Sequence, residues 1–126
     1  TELKPFNNVL VRRAVNYAID RNRIKAFVAR RATIARGVLP PGMPGYNPQL
    51  FQYTYDPKKA KQLLQEAGYP NGFTTTLWYA PTAVEWYGKA AQSMQEDLKQ
   101  IGITVMHEVG HLVGLDEDEL WKRGLD

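Results

Sequence analysis

The two histidines of the chain lie four residues apart in the run M-H-E-V-G-H-L-V-G-L-D-E, at residues 106–117. The order of His107, Glu108 and His111 matches H-E-x-x-H, in which both histidines share one face of a helix and bind one zinc ion. Glu108 would then act as the general base on metal-bound water. The spacing therefore predicts a zinc site with hydrolytic chemistry.

A third zinc ligand is expected after Gly114, because a glycine there lets the helix end and the chain turn back. Glu117, ten positions after His107, is the first choice, and Asp116 and Asp118 are adjacent alternatives. Three protein ligands with an open fourth position form the catalytic type of zinc site. The alternative interpretation is two surface histidines on a helix with no pocket around them.

The composition indicates one small globular domain, residues 1–126, with 44% hydrophobic and 23% charged residues. Cysteine is absent, which excludes disulfides and thiolate ligands. No apolar run is long enough for a membrane span, and no charged-then-apolar leader predicts a signal peptide. The excess of basic residues lies before Gly37 and indicates either nucleic-acid binding or a solvated helix face. Without a nucleic-acid motif we favour the second and expect no nucleic-acid partner.

The histidine motif must be positioned by the elements that precede it, and these follow a regular order. A strand, a long helix and a second strand predict a βαβ unit with parallel pairing. We therefore expect an α/β (α+β) fold, a small single domain with several helices packed on a thin sheet and a C-terminal H-E-x-x-H helix. Apolar spacing, caps and Pro/Gly stops predict helices over 7–20, 21–31, 56–70 and 83–102, and strands over 73–80 and 103–106.

Several motifs ahead of the histidines occur in an order known from one family. V-R-R-A-V-N-Y-A-I-D-R-N-R-I is followed by L-P-P-G-M-P-G-Y-N-P, then by Y-D-P-K-K-A-K-Q-L-L-Q-E-A-G-Y-P-N-G-F and D-L-K-Q-I-G-I-T-V. This order resembles the oligopeptide- and dipeptide-binding proteins of bacterial ABC importers over residues 4–105. The resemblance implies part of the C-terminal lobe of a two-lobed peptide receptor, located in the periplasm or outside the cell.

The same resemblance implies where a peptide would make contact. In that family, ligand contacts lie near the end of the strand that contains L-W, here the predicted strand over 73–80, and near the start of the next helix. By position these contacts are Pro81, Thr82, Trp86 and Tyr87. Packing on a helix face is the alternative role for the two aromatic residues. Peptides are thus the expected partners, and binding should be weak because one lobe cannot enclose a peptide.

The tail H-E-V-G-H-L-V-G-L-D-E-D-E-L-W-K-R-G-L-D resembles a second family, the minimal zincin-like metallopeptidases of bacteria. It resembles the metzincins more distantly, since Glu117 stands where they have a third histidine. This resemblance implies zinc as the cofactor, His107, His111 and Glu117 as its ligands, and Glu108 as the catalytic residue. It also implies a cytoplasmic location.

Two family patterns meeting near Val105 suggest a chimera, natural or engineered, of a receptor-lobe segment (1–105) and a zincin-like tail (106–126). The first functional hypothesis for such a chimera is zinc-dependent peptide hydrolysis, which makes the chain a candidate zinc metallopeptidase. The alternative is a non-catalytic fragment of a periplasmic peptide-binding protein, or an engineered scaffold. A third hypothesis is a homodimer formed through the unpaired edge of the thin sheet.

Overall fold

The computed structural model describes residues 2–28, 31–80 and 86–109. This part of the chain contains four helices packed on a two-stranded sheet, which confirms the predicted fold class. The helices are α1 (Val9–Ala18), α2 (Arg21–Ala26), α3 (Pro57–Glu66) and α4 (Tyr87–Gln100), and the strands are β1 (Phe73–Tyr79) and β2 (Ile103–Val109).

Short polar side chains set the starting points of three helices. Asn8, Asp20 and Asp56 precede α1, α2 and α3, and each accepts at least one hydrogen bond from a backbone N–H in the first turn. These bonds satisfy donors that have no partner within the helix. Pro57 follows Asp56 at the first helical position, where its missing N–H costs nothing.

Helix α2 is shorter than its sequence pattern predicts. The prediction of a helix over residues 21–31 is wrong, because α2 ends at Ala26. The next N–H group, that of Phe27, bonds to the carbonyl of Ile24 at 3.0 Å, which is the tighter turn often found at helix ends. The N–H group of Val28 likewise bonds to the carbonyl of Lys25 at 3.3 Å, so Phe27 and Val28 form turns beyond the end of α2.

The two strands run parallel and pair over seven positions, from Phe73 opposite Ile103 to Tyr79 opposite Val109. Helix α4 makes the crossover between them, so the predicted βαβ unit is confirmed. The strands begin where Gly72 and Gly102 approach closely, and both glycines have positive φ, 74° and 92°.

One face of the sheet forms part of the hydrophobic core. Ile103 and Val105 of β2 are buried there, and Phe73 and Leu77 of β1 pack against the same cluster. The opposite face carries Trp78 and Met106, which are 54% and 55% exposed. The buried residues of the core cluster are Val11, Ala14, Tyr17, Ala18, Ala60, Leu64, Leu98, Ile101, Ile103 and Val105.

The predicted helix over the H-E-x-x-H motif is wrong for its first residues. Strand β2 continues through Met106, His107 and Glu108 to Val109, with His107 opposite Leu77 and Glu108 opposite Trp78. Pairing with β1 supplies the backbone partners that a helix would otherwise provide. The backbone at His107 and Glu108 is therefore extended and not helical.

A buried carboxylate joins α2 to α4. The Asp97 side chain has no exposed surface, and its Oδ1 accepts a hydrogen bond from Nη2 of Arg23 at 2.6 Å. Its Oδ2 accepts the backbone N–H of Asp20 at 2.9 Å. These two hydrogen bonds fix the start of α2 against α4.

Within the described ranges, no helix is long and apolar enough to cross a membrane.

Candidate functional site

The predicted contact residues follow the carboxyl end of β1. Strand β1 ends at Tyr79, and α4 begins at Tyr87 with Trp86 as its cap residue. Ligands of open parallel sheets bind outside the carboxyl ends of the strands, so this is where a site is expected. Pro81 and Thr82 lie outside the described residues.

Trp86 and Tyr87 form an aromatic pair at this end of the sheet. Their rings meet edge to face, with centroids 4.9 Å apart. Tyr87 is 37% exposed, whereas Trp86 is half-buried and lines a pocket of about 290 Å³. The structure thus brings Trp86 to a concave surface, as a ligand contact requires.

Helix α2 and the segment after it form the opposite wall of that pocket. Ile24, Val28 and Ile34 supply its apolar surface, and Arg21 and Lys25 supply its charge. All charged residues that line the pocket in the described part of the chain are cationic. The described lining of the pocket therefore combines apolar side chains with two cationic residues.

These wall residues were missed in the sequence. Ile24 and Val28 are four residues apart, as are Arg21 and Lys25, so each pair can lie along one side of a helical turn. That spacing could have indicated a helix surface with one apolar side and one basic side. It gave no indication that Trp86, more than fifty positions later, would face it.

A second cleft, of about 530 Å³, adjoins the pocket and shares Arg21, Ile34 and Ala35 with it. The Arg21 guanidinium is held there by Asn16, with Nη1 donating to the backbone carbonyl at 2.9 Å and Nη2 to Oδ1 at 2.7 Å. An arginine head has five N–H donors, so two fixed bonds leave donors for a ligand. Asp20 also lines this cleft, and its Oδ1 accepts hydrogen bonds from two backbone N–H groups at the start of α2.

His107 lies in a different environment from the one its motif predicts. Its Nε2 is 3.1 Å from the backbone carbonyl of Ala91, and its ring meets that of Tyr79 edge to face at 5.7 Å between centroids. A carbonyl oxygen accepts hydrogen bonds, so Nε2 carries the proton and donates it. In this arrangement Nε2 has no lone pair to offer a metal.

The remaining members of the predicted zinc site, His111 and Glu117, lie outside the described residues. Within residues 2–28, 31–80 and 86–109, no three His, Asp or Glu side chains are grouped so as to hold a metal ion. The donors that are described do not reproduce a zincin centre. Zinc binding by His107, His111 and Glu117, with Glu108 as the base, stays a prediction.

Comparison with known proteins gives a family match along most of the chain. Residues 1–120 match the family described as bacterial extracellular solute-binding proteins, family 5 Middle. The match continues past Val105, where the chimera hypothesis places a junction. The comparisons give no support to the zincin-like or chimeric interpretation of residues 106–126.

Individual relatives agree with this family. The chain is 54% identical over 82 residues to heme-binding protein A of Haemophilus influenzae, covering 64% of this chain and 15% of the relative. It is 48% identical over 101 residues to the glutathione-binding protein GsiB of Escherichia coli, covering 79% of this chain and 19% of the relative.

A solved structure matches the fold described above. It is the ABC transporter-associated periplasmic binding protein DppA from Helicobacter pylori in complex with the peptide STSA, with a TM-score of 0.80 and 44% identity. The match covers 87% of this chain and 21% of DppA. The chain therefore spans about a fifth or less of the length of these relatives.

Proposed function

The chain belongs to the bacterial extracellular solute-binding proteins of family 5, and we propose that it forms one wall of a peptide-binding cleft in such a receptor. The proposed activity is binding without catalysis. The proposed location is the outer side of the cytoplasmic membrane, where DppA is described as periplasmic.

The observation that carries this proposal is the position of Trp86. It lies just beyond the carboxyl end of β1 and faces an apolar pocket instead of the core cluster. An aromatic side chain gives a large contact area at low cost in conformational entropy, which suits a surface that must hold varied ligands. The DppA match, solved with a bound peptide, favours peptides among the ligands named for the relatives.

Affinity for this chain alone should be low. Ligand pockets normally enclose most of a bound ligand, and the pocket at Trp86 is at the lower end of the usual volume range. We expect a dissociation constant on the order of 0.1–1 mM, since one wall leaves much of a peptide in water.

Trp86→Ala should weaken peptide binding at least about tenfold, because it removes the aromatic wall of the pocket. The measurement is a heteronuclear NMR titration of the ¹⁵N-labelled chain with short peptides, in which weak binding is followed from chemical-shift changes. Trp78→Ala is the matched control, since Trp78 is also a partly exposed tryptophan, at 54%, and is not among the described residues that line the pocket. Equal losses in the two variants would contradict the proposal, as would shifts confined to residues remote from α2 and Trp86.

A further inference from the structure

Five exposed cationic side chains lie on the helix pair formed by α1 and α3. They make up what we call the basic face, which consists of Arg12, Arg13, Lys58, Lys59 and Lys61. Helix α1 contains no acidic residue, and the one acid of α3, Glu66, stands at its last position. The net charge of the whole chain is only +3, so positive charge is concentrated on this helix pair.

The packing of the two helices brings these cations to one surface. The start of α3 lies at the end of α1, because the backbone N–H of Asp56 donates to the carbonyl of Tyr17 at 2.8 Å. Nζ of Lys59 is 4.7 Å from the centre of the Tyr17 ring, and Arg13 lies one turn before Tyr17 on the same side of α1. Arg13 and Lys59 are both exposed, so they flank the seam between the helices on the side turned away from the core.

The described part of the chain does not neutralise the basic face. Within residues 2–28, 31–80 and 86–109, salt bridges form at Arg23, which does not belong to this face. Asp56, the acid next to the start of α3, uses its Oδ1 to accept the backbone N–H of Lys59. Arg12 donates from Nη1 to the backbone carbonyl of Phe6, a neutral group that leaves the positive charge in place. The charge of the face is therefore available to an anionic partner.

We propose that the basic face lies against the anionic phospholipid headgroups of a membrane surface. The inference rests on the extracytoplasmic location proposed above and is independent of peptide binding, because no residue of the basic face lines the pocket at Trp86. Each lysine or arginine close to an anionic membrane strengthens binding about fivefold. Five such residues are enough for reversible adsorption without any membrane-spanning segment.

The make-up of the face favours lipid over a protein partner. Protein interfaces depend on buried anchors that are commonly aromatic. Helix α3 has no aromatic residue, and Tyr17 of α1 is buried. Gln62 and Gln65, the exposed uncharged residues of α3, are polar. Charge without an aromatic anchor suits a surface that carries many fixed anions.

The family match decides between lipid and nucleic acid, which are both polyanions. The family of this chain is described as extracellular. A membrane is the extended anionic surface that a receptor meets there, whereas a nucleic acid is not its expected partner.

The test is co-sedimentation of the whole chain with vesicles of phosphatidylcholine, prepared with and without phosphatidylglycerol. The chain should bind the vesicles that contain phosphatidylglycerol and not the neutral ones. Raising the salt concentration from about 0.1 M to about 1 M should reduce binding at least about tenfold, because the screening length falls from about 10 Å to about 3 Å.

Two double variants locate the binding surface. Arg13→Gln with Lys58→Gln should weaken vesicle binding about twentyfold, since two of the five cations are lost. Lys89→Gln with Lys99→Gln removes the same charge from exposed positions of α4 and is the matched control, which should retain most of the binding. The Arg13 and Lys58 variant should bind peptides as the unaltered chain does, which also shows that it is folded, and Trp86→Ala should leave vesicle binding unchanged.

Three results would overturn the inference while the proposed function stands: no preference for vesicles with phosphatidylglycerol, equal losses in the two double variants, or tighter binding of a DNA duplex than of vesicles at the same phosphate concentration. Loss of peptide binding in the unaltered chain would instead refute the proposed function and leave vesicle binding as a separate result.

Discussion

Replacing Arg23 with alanine should lower the free energy of unfolding by about 3–5 kcal/mol, because it leaves a buried carboxylate without its counter-ion. The Asp97 side chain has 0% exposure, and its bond to Arg23 is 2.6 Å long. After the substitution its remaining described partner is the backbone N–H of Asp20. A loss of this size is a large share of the total stability of a small domain, which is about 5–15 kcal/mol.

Chemical denaturation followed by circular dichroism measures this effect. Arg13→Ala is the matched control: Arg13 is an exposed residue of α1, so its removal should change stability by no more than about 0.5 kcal/mol. Adding Asp97→Asn to the Arg23→Ala variant should recover at least about 1 kcal/mol, because a neutral amide is less costly to bury than a charge. Similar stabilities for the Arg13 and Arg23 variants would show that the carboxylate does not depend on its partner.

Gly72→Ala should destabilise the fold by about 3 kcal/mol or more, through a clash at the point where both strands begin. A Cβ atom at position 72 would lie 1.8 Å from the backbone oxygen of Gly102, and backbone cannot move aside as a flexible side chain can. The φ angle of 74° adds the left-handed penalty for any residue with a Cβ. Pairing of Phe73 with Ile103, the first pair of the sheet, should be disturbed most.

Gly42→Ala separates the two effects that Gly72→Ala combines, which are the clash with Gly102 and the penalty for a positive φ angle. Gly42 also has a positive φ, 89°, but a Cβ there would meet nothing within 4 Å. It should therefore cost only the conformational penalty, about 1 kcal/mol. Thermal unfolding of the two variants in parallel checks the difference. If both lose the same stability, the close approach of Gly72 to Gly102 is not what constrains the turn.

Local signals in the sequence were sufficient for much of the fold. A cap at Asn7 or Asn8 and another at Asp56 could be predicted because a short polar side chain precedes an apolar helical stripe, and the structure has Asn8 and Asp56 in these roles. The βαβ unit followed from the lengths of its three parts and from the rule that parallel strands need a long crossover. Each of these predictions depends on residues close together in the chain.

The end of β2 could not be predicted in the same way. H-E-V-G-H has the spacing of a helical metal motif, but Met106, His107 and Glu108 pair with Thr76, Leu77 and Trp78, thirty residues earlier. Strand preference depends strongly on such partners, so a local pattern is overruled by tertiary pairing. The His107 ring is then held by Ala91 of α4 and by Tyr79, neither of which the motif points to.

Only one wall of the candidate site, the one formed by Trp86, could be predicted from the sequence. A resemblance in motif order placed Trp86 near a ligand, and the structure puts it on a pocket wall. The opposite wall, made by Ile24, Lys25 and Val28, depends on how α2 packs against α4 through Asp97 and Arg23. That packing joins residues more than seventy positions apart, and no spacing within α2 predicts it.

The measurement that tests the central claim most directly is a peptide titration of this chain in EDTA and, in parallel, with added zinc, with the peptide examined afterwards by mass spectrometry. A receptor wall built on Trp86 and α2 needs no metal, so the dissociation constants should agree within about twofold and the peptide should remain intact. Binding that requires zinc, or zinc-dependent cleavage that Glu108→Gln abolishes, would contradict the account and favour a hydrolytic centre at the histidine motif.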